Sequence, residues 1–250
     1  MGERLCILAL ENRLVKERVV NKNRMLKVVP GAEAGLWAAV RYRRWHLRWG
    51  ATDAEVAETL PGDEMCAHPN FAFTRAITIH ARPEDIWPWL VQVGFGRAGW
   101  YSYDLLDNLG RHSAERVIPE LQHLEIGDVV PMGAVVNDTT VIRVKDFDPY
   151  KWLLWEHLGD SWVWVLKSSD DHTTRLITRG RQRYHWKSPM VISELILMEI
   201  GDFSMMRKLL LNLKRRAENL AHERQSVPAQ SDSTHPLEID NTSEKVEAIS

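Results

Sequence analysis

The feature that most constrains the fold is segment 71–110, where an alternating strand passes within a few residues into a helix. Large apolar side chains alternate with smaller or polar ones from Phe71 to Ile79, a pattern that predicts one buried strand face. Pro83 follows almost at once, and Glu84 and Asp85 supply acids suited to the positive end of a helix dipole. A strand that leads so abruptly into a helix leaves few folds to consider.

The second half of the chain predicts antiparallel hairpins followed by one long helix. Runs of β-branched and aromatic residues cover 139–147, 152–158, 161–167 and 173–184, and short polar turns separate them. Connections this short favour antiparallel pairing over crossovers. A long helix is predicted from about 189 to 221, and apolar residues recur every three or four positions along it from Phe203 to Leu220. The fold class is therefore α+β, with a curved antiparallel sheet around the C-terminal helix and two short helices after the first strand.

Composition predicts four regions. Residues 1–32 are charged and weakly periodic and are expected to form a flexible extension, whereas 33–66 predict a helical segment that packs on the domain. Residues 67–222 contain the predicted strands and helices of the main folded domain. Residues 223–250 are rich in Ser, Pro, Asp and Glu, which predicts a disordered acidic tail.

The bulk composition excludes several classes of function. The formal net charge is −2, and the body of the chain is only mildly basic, which is too weak a balance to predict a nucleic-acid partner. Cys6 and Cys66 offer neither a disulfide framework nor a metal pair, and four histidines (112, 123, 172, 185) lack metal-ligand spacing. These patterns predict neither a metal nor a cofactor. The apolar run near the start is too short for a secretory signal, so we expect a cytoplasmic protein.

The stretch Gly94-Phe95-Gly96-Arg97-Ala98-Gly99 matches the glycine pattern of dinucleotide-binding loops. That function requires a preceding strand and a following helix within a parallel βαβ unit. Here Pro88 interrupts the supposed strand, and the downstream pattern is antiparallel. We therefore expect these glycines to link two short helices.

Several segments within or next to residues 52–221 resemble the START-like superfamily, also called SRPBCC, which includes polyketide cyclases and lipid-transfer domains. The resemblance implies a helix-grip fold with an apolar cavity between the sheet and the C-terminal helix, but it implies no particular reaction. The segments that carry it are Trp49-Gly50-Ala51-Thr52, Pro61-Gly62-Asp63, Pro83-Glu84-Asp85-Ile86-Trp87-Pro88-Trp89-Leu90, Gly99-Trp100-Tyr101-Ser102-Tyr103-Asp104, Thr174-Arg175-Leu176-Ile177 and Lys214-Arg215-Arg216-Ala217-Glu218.

Aromatic residues concentrate just after the glycine turn and are candidates for the wall of such a cavity. Trp100, Tyr101 and Tyr103 suit either a cavity mouth or ordinary core packing, and Asp104 suits a helix cap. The full set predicted to bind ligand is Trp100, Tyr101, Tyr103, Glu156, Trp164, Phe203 and Met206.

Glu156 shares a strand face with Trp152 and Leu154, which places a carboxylate on an apolar surface. If that face lines the cavity, Glu156 is a candidate general base or ligand anchor. The alternative is an ion pair across the sheet with an arginine. The candidates for acid–base catalysis are Glu156, Tyr101, Tyr103 and Asp104.

Two groups of arginines also allow two interpretations. Arg175, Arg179, Arg181 and Arg183 share one strand face, which usually faces solvent but would bind an anionic head group if it faced inward. A helix predicted at 33–49 mixes aromatic residues with basic ones that could touch an anionic membrane or simply cover the domain. Its basic residues are Arg41, Arg43, Arg44 and Arg48.

The hypothesis favoured by the sequence is a protein that binds a hydrophobic or aromatic small molecule, such as a lipid or polyketide-like metabolite, beneath the C-terminal helix. The alternative is a cyclase- or dehydratase-type enzyme that uses acid–base residues in the same cavity. A third hypothesis is an interaction module that contacts membranes through its basic helix.

Overall fold

A six-stranded antiparallel sheet wrapped around one long helix organises the residues described by the computed structural model, which are 30–183 and 201–226. The spatial order is β1-β6-β5-β4-β3-β2. The strands are β1 (Phe71–Ile79), β2 (Val129–Pro131), β3 (Val141–Asp148), β4 (Trp152–His157), β5 (Asp160–Asp170) and β6 (Thr173–Gln182). The helices are α1 (Pro30–Leu47), α2 (Asp53–Ala57), α3 (Pro83–Val91), α4 (Asp104–Asp107), a 3₁₀ turn (Pro119–Leu121) and α5 (Phe203–Ser226).

Helix α5 packs its apolar stripe into the concave face of the sheet, so the predicted helix-grip architecture is confirmed. Its buried positions recur every three or four residues and join the side chains of Phe71, Phe73 and Leu153 in one core. Helix α5 extends to Ser226, beyond the predicted tail boundary at 223. The predicted start of this helix near 189 lies outside the described residues, as do most of the predicted extension and tail.

The glycine-rich stretch forms a tight turn between α3 and the loop that leads to α4. The backbone N–H of Gly94 donates to the carbonyl of Gly99 at 3.2 Å, and Gly99 N–H returns a bond to Gly94 at 3.0 Å. Helix α3 precedes this turn, so the strand, glycine loop and helix of a nucleotide site are not present here. The expectation of a helix-to-helix link is confirmed.

Three of the four arginines predicted to share a strand face, Arg175, Arg179 and Arg181, lie on the outer face of the sheet beneath another segment of the chain, so they face neither open solvent nor the cavity. Arg183 is exposed, as the solvent-facing interpretation predicted. Segment 50–67 covers this side of β6. Arg175 forms a two-pronged ion pair with Glu55, at 2.7 and 2.9 Å. Arg181 donates to the carbonyls of Cys66 and Ala67.

Arg179 is the most enclosed of the three. Its guanidinium donates to the carbonyls of Glu55, Val56 and Glu58 at the end of α2, and to the carboxylate of Asp63 at 2.6 Å. A planar fork of donors satisfies several acceptors at once, including the carbonyls that a helix end leaves unpaired. These arginines therefore fasten segment 50–67 to the sheet.

Helix α1 is exposed over most of its length and becomes buried only at His46 and Leu47. Trp37 is 76% exposed and Trp45 is 51% exposed, beside Arg41 and Arg44. Membrane contact through this helix stays a prediction.

Among the described helices, none combines the length and apolarity needed to cross a bilayer.

Candidate functional site

A cavity of about 210 Å³ lies between β5, the aromatic loop after α3 and the first turns of α5. Two stacked indoles and three thioethers supply most of its wall, and two acids and a serine supply the polar part. The lining residues are Trp100, Ser102, Asp107, Met132, Trp162, Asp202, Met205, Met206 and Leu209. This is where the helix-grip resemblance placed a ligand cavity.

A second, smaller space of about 150 Å³ adjoins the first. The two share Met132, Trp162 and Asp202, so they form neighbouring chambers on either side of these side chains. Phe73, Ile142 and Trp155 supply the apolar wall of the smaller chamber.

Four tryptophans meet where the two chambers join. Trp100 and Trp162 are parallel within 3°, with ring centroids 6.1 Å apart. Trp155 stands perpendicular to both, with centroids 6.3 and 5.0 Å away. Trp164 extends the cluster beneath Trp162 at 5.3 Å. Flat, polarisable walls of this kind favour aromatic or planar ligands.

Several buried polar atoms around these chambers have no hydrogen-bond partner among the described residues. They include the indole nitrogens of Trp100, Trp155 and Trp164, and Oδ1 of Asp107. The indole of Trp162 differs, because it donates to Thr178 at 2.8 Å. Buried polar groups are normally paired, so unpaired ones beside a cavity are available to a ligand or to water.

Asp107 is the acid that sequence reasoning missed. It closes the short helix α4 and is 7% exposed, and its Oδ2 accepts a hydrogen bond from the backbone N–H of Tyr103 at 3.1 Å. Burial raises the pKa of the Asp107 carboxyl above its ordinary value. The sequence offered no signal for it, because the inward direction of a side chain in a four-residue helix depends on the surrounding loop.

Tyr101 is a core residue and does not line either chamber. It is 1% exposed, its hydroxyl donates to the carbonyl of Trp89 at 3.2 Å, and that hydroxyl accepts from Gln92 at 3.0 Å. Burial raises the pKa of the Tyr101 phenol, so it holds its proton firmly. Its backbone φ is 54°, a left-handed conformation held by bonds from Asn212 and to Ser113. This geometry indicates a structural role.

Tyr103 and Asp104 also lie outside the lining of the chambers. Tyr103 is 39% exposed, and the Nζ of Lys208 lies 3.9 Å from its ring centroid. The Asp104 carboxylate accepts bonds from the side chains of Ser113 and Asn108, which close its own loop. Although burial acts in the opposite direction, these bonds hold the pKa of Asp104 below its ordinary value. Asp104 was predicted to cap the helix that follows, but its carboxylate instead stabilises the loop through these two bonds.

Glu156 borders the smaller chamber, but its carboxylate forms an ion pair with Lys145 at 3.0 Å. It shares the strand face of Leu154, which packs in the outer cluster with Val163, whereas Trp155 points to the concave side. The cross-sheet ion pair that the sequence allowed is present, with a lysine in place of an arginine.

The remaining predicted contacts divide between the cavity and the core. Met206 lines the larger chamber. Trp164 lies behind Trp162 in the tryptophan cluster. Phe203 packs against Trp45 on α1 and contacts the guanidinium of Arg75.

Arg75 is a fully buried charged residue between the sheet and helix α5, and sequence reasoning missed it. It occupies a core-facing position of β1, is fully buried, and donates to Asp202 at 2.7 Å and to the carbonyl of His46 at 3.0 Å. A charge at a core position of an alternating strand was the available signal. Asp202 thus reaches the cavity with its charge already compensated.

Among the described residues, no group of three or more His, Cys, Asp or Glu side chains is arranged to hold a metal ion.

The chain is similar in structure to several solved proteins at low sequence identity. The Zhui aromatase/cyclase from Streptomyces sp. R1128 is 14% identical, with 64% of this chain and 98% of that chain covered and a TM-score of 0.36. The Polyketide_cyc-like protein Cgl2372 from Corynebacterium glutamicum is 13% identical, with 66% and 97% covered and a TM-score of 0.29. EF2215 from Enterococcus faecalis is 14% identical, with 66% and 94% covered and a TM-score of 0.34.

Proteins of the polyketide cyclase type are thus among those that this chain is similar to. No protein-family model matches the sequence. No curated protein matches it either.

Proposed function

We propose that this protein binds a hydrophobic or aromatic small molecule in the cavity between the sheet and helix α5. The observation that carries the proposal is the larger chamber of about 210 Å³, walled by Trp100, Trp162 and thioether side chains. Apolar burial at about 25 cal/mol per Å² supplies the affinity of such sites, and a few polar groups orient the ligand.

The geometry supports binding better than the cyclase- or dehydratase-type alternative. Tyr101, Tyr103 and Asp104 do not line the chambers, and the carboxylate of Glu156 is neutralised by Lys145. A general acid or base must come within hydrogen-bond reach of the reacting atom. These four candidates do not converge on one ligand position.

The test combines native mass spectrometry of the freshly purified protein with a titration of 2-naphthalenemethanol, followed by tryptophan fluorescence. We expect the probe to quench the cavity tryptophans with saturable, one-to-one binding, and any co-purified ligand to add a discrete mass that organic extraction releases.

A pair of variants on α5 locates the bound molecule. Met205 lines the cavity, whereas Leu211 on the same helix is 38% exposed and lies outside its lining. Met205→Trp fills the chamber and is expected to abolish binding, while Leu211→Trp adds the same side chain and leaves binding unchanged. Equal binding by both variants would place the ligand elsewhere and overturn the proposal.

A further inference from the structure

The larger chamber combines two features that bear on the charge of its ligand. The first is Asp107, which lines the cavity and whose buried Oδ1 forms no well-aligned hydrogen bond among the described residues, although the nearby Ser102 hydroxyl lowers the pKa of its carboxyl. A buried carboxylate oxygen without a well-formed hydrogen bond is destabilising unless a ligand or solvent pairs with it.

The second feature is the pair of parallel indoles. Trp100 and Trp162 lie within 3° of parallel and line the same chamber as Asp107. The face of an indole carries negative electrostatic potential, and it attracts a cation within about 6 Å of the ring centroid. Met132, Met205 and Met206 add polarisable sulfur to the same wall.

The charges around the chamber also favour a cationic ligand. Its lining among the described residues contains two aspartates and no lysine, arginine or histidine. Asp202 is already paired with Arg75. Asp107 faces the charge of Lys208, which lowers its pKa, and that of Asp104, which raises it, while burial has the largest effect and raises it. Asp107 forms no ion pair among the described residues, so its carboxylate would repel an anionic ligand, whereas a cation would pair with it.

We propose that the ligand is a flat apolar molecule bearing a protonated amine, with the ammonium group bound by Asp107 and by the faces of Trp100 and Trp162. This inference rests on the proposed function and assigns the chemical class of its ligand. The ammonium donates a hydrogen bond to Oδ1 of Asp107, and the apolar body lies among the indoles and thioethers.

A matched pair of probes tests the proposal on the full chain. 2-Naphthylmethylamine and 2-naphthalenemethanol have nearly the same shape, but only the amine is charged at neutral pH. Calorimetry is expected to show the amine binding about tenfold more tightly or better, since a charged hydrogen bond and a cation–π contact together exceed about 1.4 kcal/mol.

Two variants with the same change of charge identify the carboxylate. Asp107→Asn is expected to remove the preference for the amine, so that the affinities of the two probes lie within about twofold of each other. Asp53→Asn is the control, because the Asp53 side chain is 94% exposed on the outer side of the fold and lies outside the chamber lining. It is expected to change neither affinity. Circular dichroism checks that both variants are folded.

The unmodified protein supplies a second measurement that does not depend on a variant. Lowering the pH protonates Asp107 while the amine stays charged, so affinity for the amine is expected to fall and its preference over the alcohol to shrink. Equal affinity for the two probes, or a preference that survives Asp107→Asn, would overturn the amine assignment and leave the binding cavity standing. Failure of both probes to bind at about 1 mM would overturn both proposals.

Discussion

The guanidinium of Arg75 donates to the carboxylate of Asp202 at 2.7 Å and joins the first strand to the residue before helix α5. The side chain of Arg75 is fully enclosed, whereas that of Asp202 retains 19% exposure. If either residue were replaced, water could therefore solvate the remaining Asp202 carboxylate more easily than the remaining Arg75 guanidinium.

We expect this asymmetry to appear in stability. Asp202→Ala leaves a buried guanidinium charge without its counter-ion and is expected to cost about 3 kcal/mol of unfolding free energy. Arg75→Met leaves a carboxylate that can turn to water and is expected to cost roughly half as much. Urea denaturation measures both, and a larger loss for Arg75→Met would show that the arginine's own packing outweighs the charge.

The arginine on the outer face gives a second prediction. Arg179→Lys keeps the charge but loses the planar fork that reaches three carbonyls and Asp63, so we expect a loss of about 2–4 kcal/mol in unfolding free energy. Arg143→Lys is the matched control, because its pair with Asp138 is exposed and is expected to matter by less than about 0.5 kcal/mol. Similar losses for the two would contradict a fastening role for Arg179.

A pH dependence follows from Glu55. Its hydrogen bonds with Arg175 lower the pKa of this carboxyl from 4.5 to about 2. Because the folded-state pKa lies below the unfolded one, its contribution to stability is complete above about pH 4.5 and is lost as the pH falls toward 2. We expect Glu55→Gln to lower stability at neutral pH and to flatten the decline across this window. Urea unfolding at several pH values measures it, and an unchanged decline would refute the assignment.

The glycine turn gives a matched pair of alanine substitutions. Both Gly96 and Gly99 have positive φ, but a Cβ on Gly99 would lie 2.6 Å from Oγ of Ser113, whereas nothing lies within 4 Å of one on Gly96. Gly96→Ala is expected to cost about 1–2 kcal/mol from backbone strain alone. Gly99→Ala is expected to cost clearly more and to weaken binding of 2-naphthalenemethanol, since the turn positions Trp100. Equal costs, measured by thermal unfolding, would contradict this.

Periodicity was sufficient to predict the strands, the two short helices and the apolar stripe of α5, because each depends on local spacing. It could not assign the faces of the sheet. Glu156 and Trp155 are neighbours on β4, and only packing against α5 or against the outer cluster decides which of them points inward. The burial of Arg179 depends on Asp63, which is 116 residues away in the chain.

As with the fold, the residues of the candidate site that depend on local pattern were predictable from the sequence, and those that depend on long-range packing were not. Trp100 and Met206 follow from an aromatic turn and a helical stripe, and both line the cavity. Asp107 and Arg75 depend on long-range packing that brings one to the cavity and the other beneath the start of α5.

The outer-face arginines also determine where the smallest independently stable unit begins. A chain trimmed to start at residue 67, the boundary that composition suggests, would lose Glu55, Asp63 and Leu60 together. Arg175 and Arg179 would then lie beside uncovered Ile177 and Val163, giving the sheet an apolar face open to water. Such a fragment is expected to aggregate, whereas one starting before Trp49, whose carbonyl accepts a bond from Ala76, retains the cover.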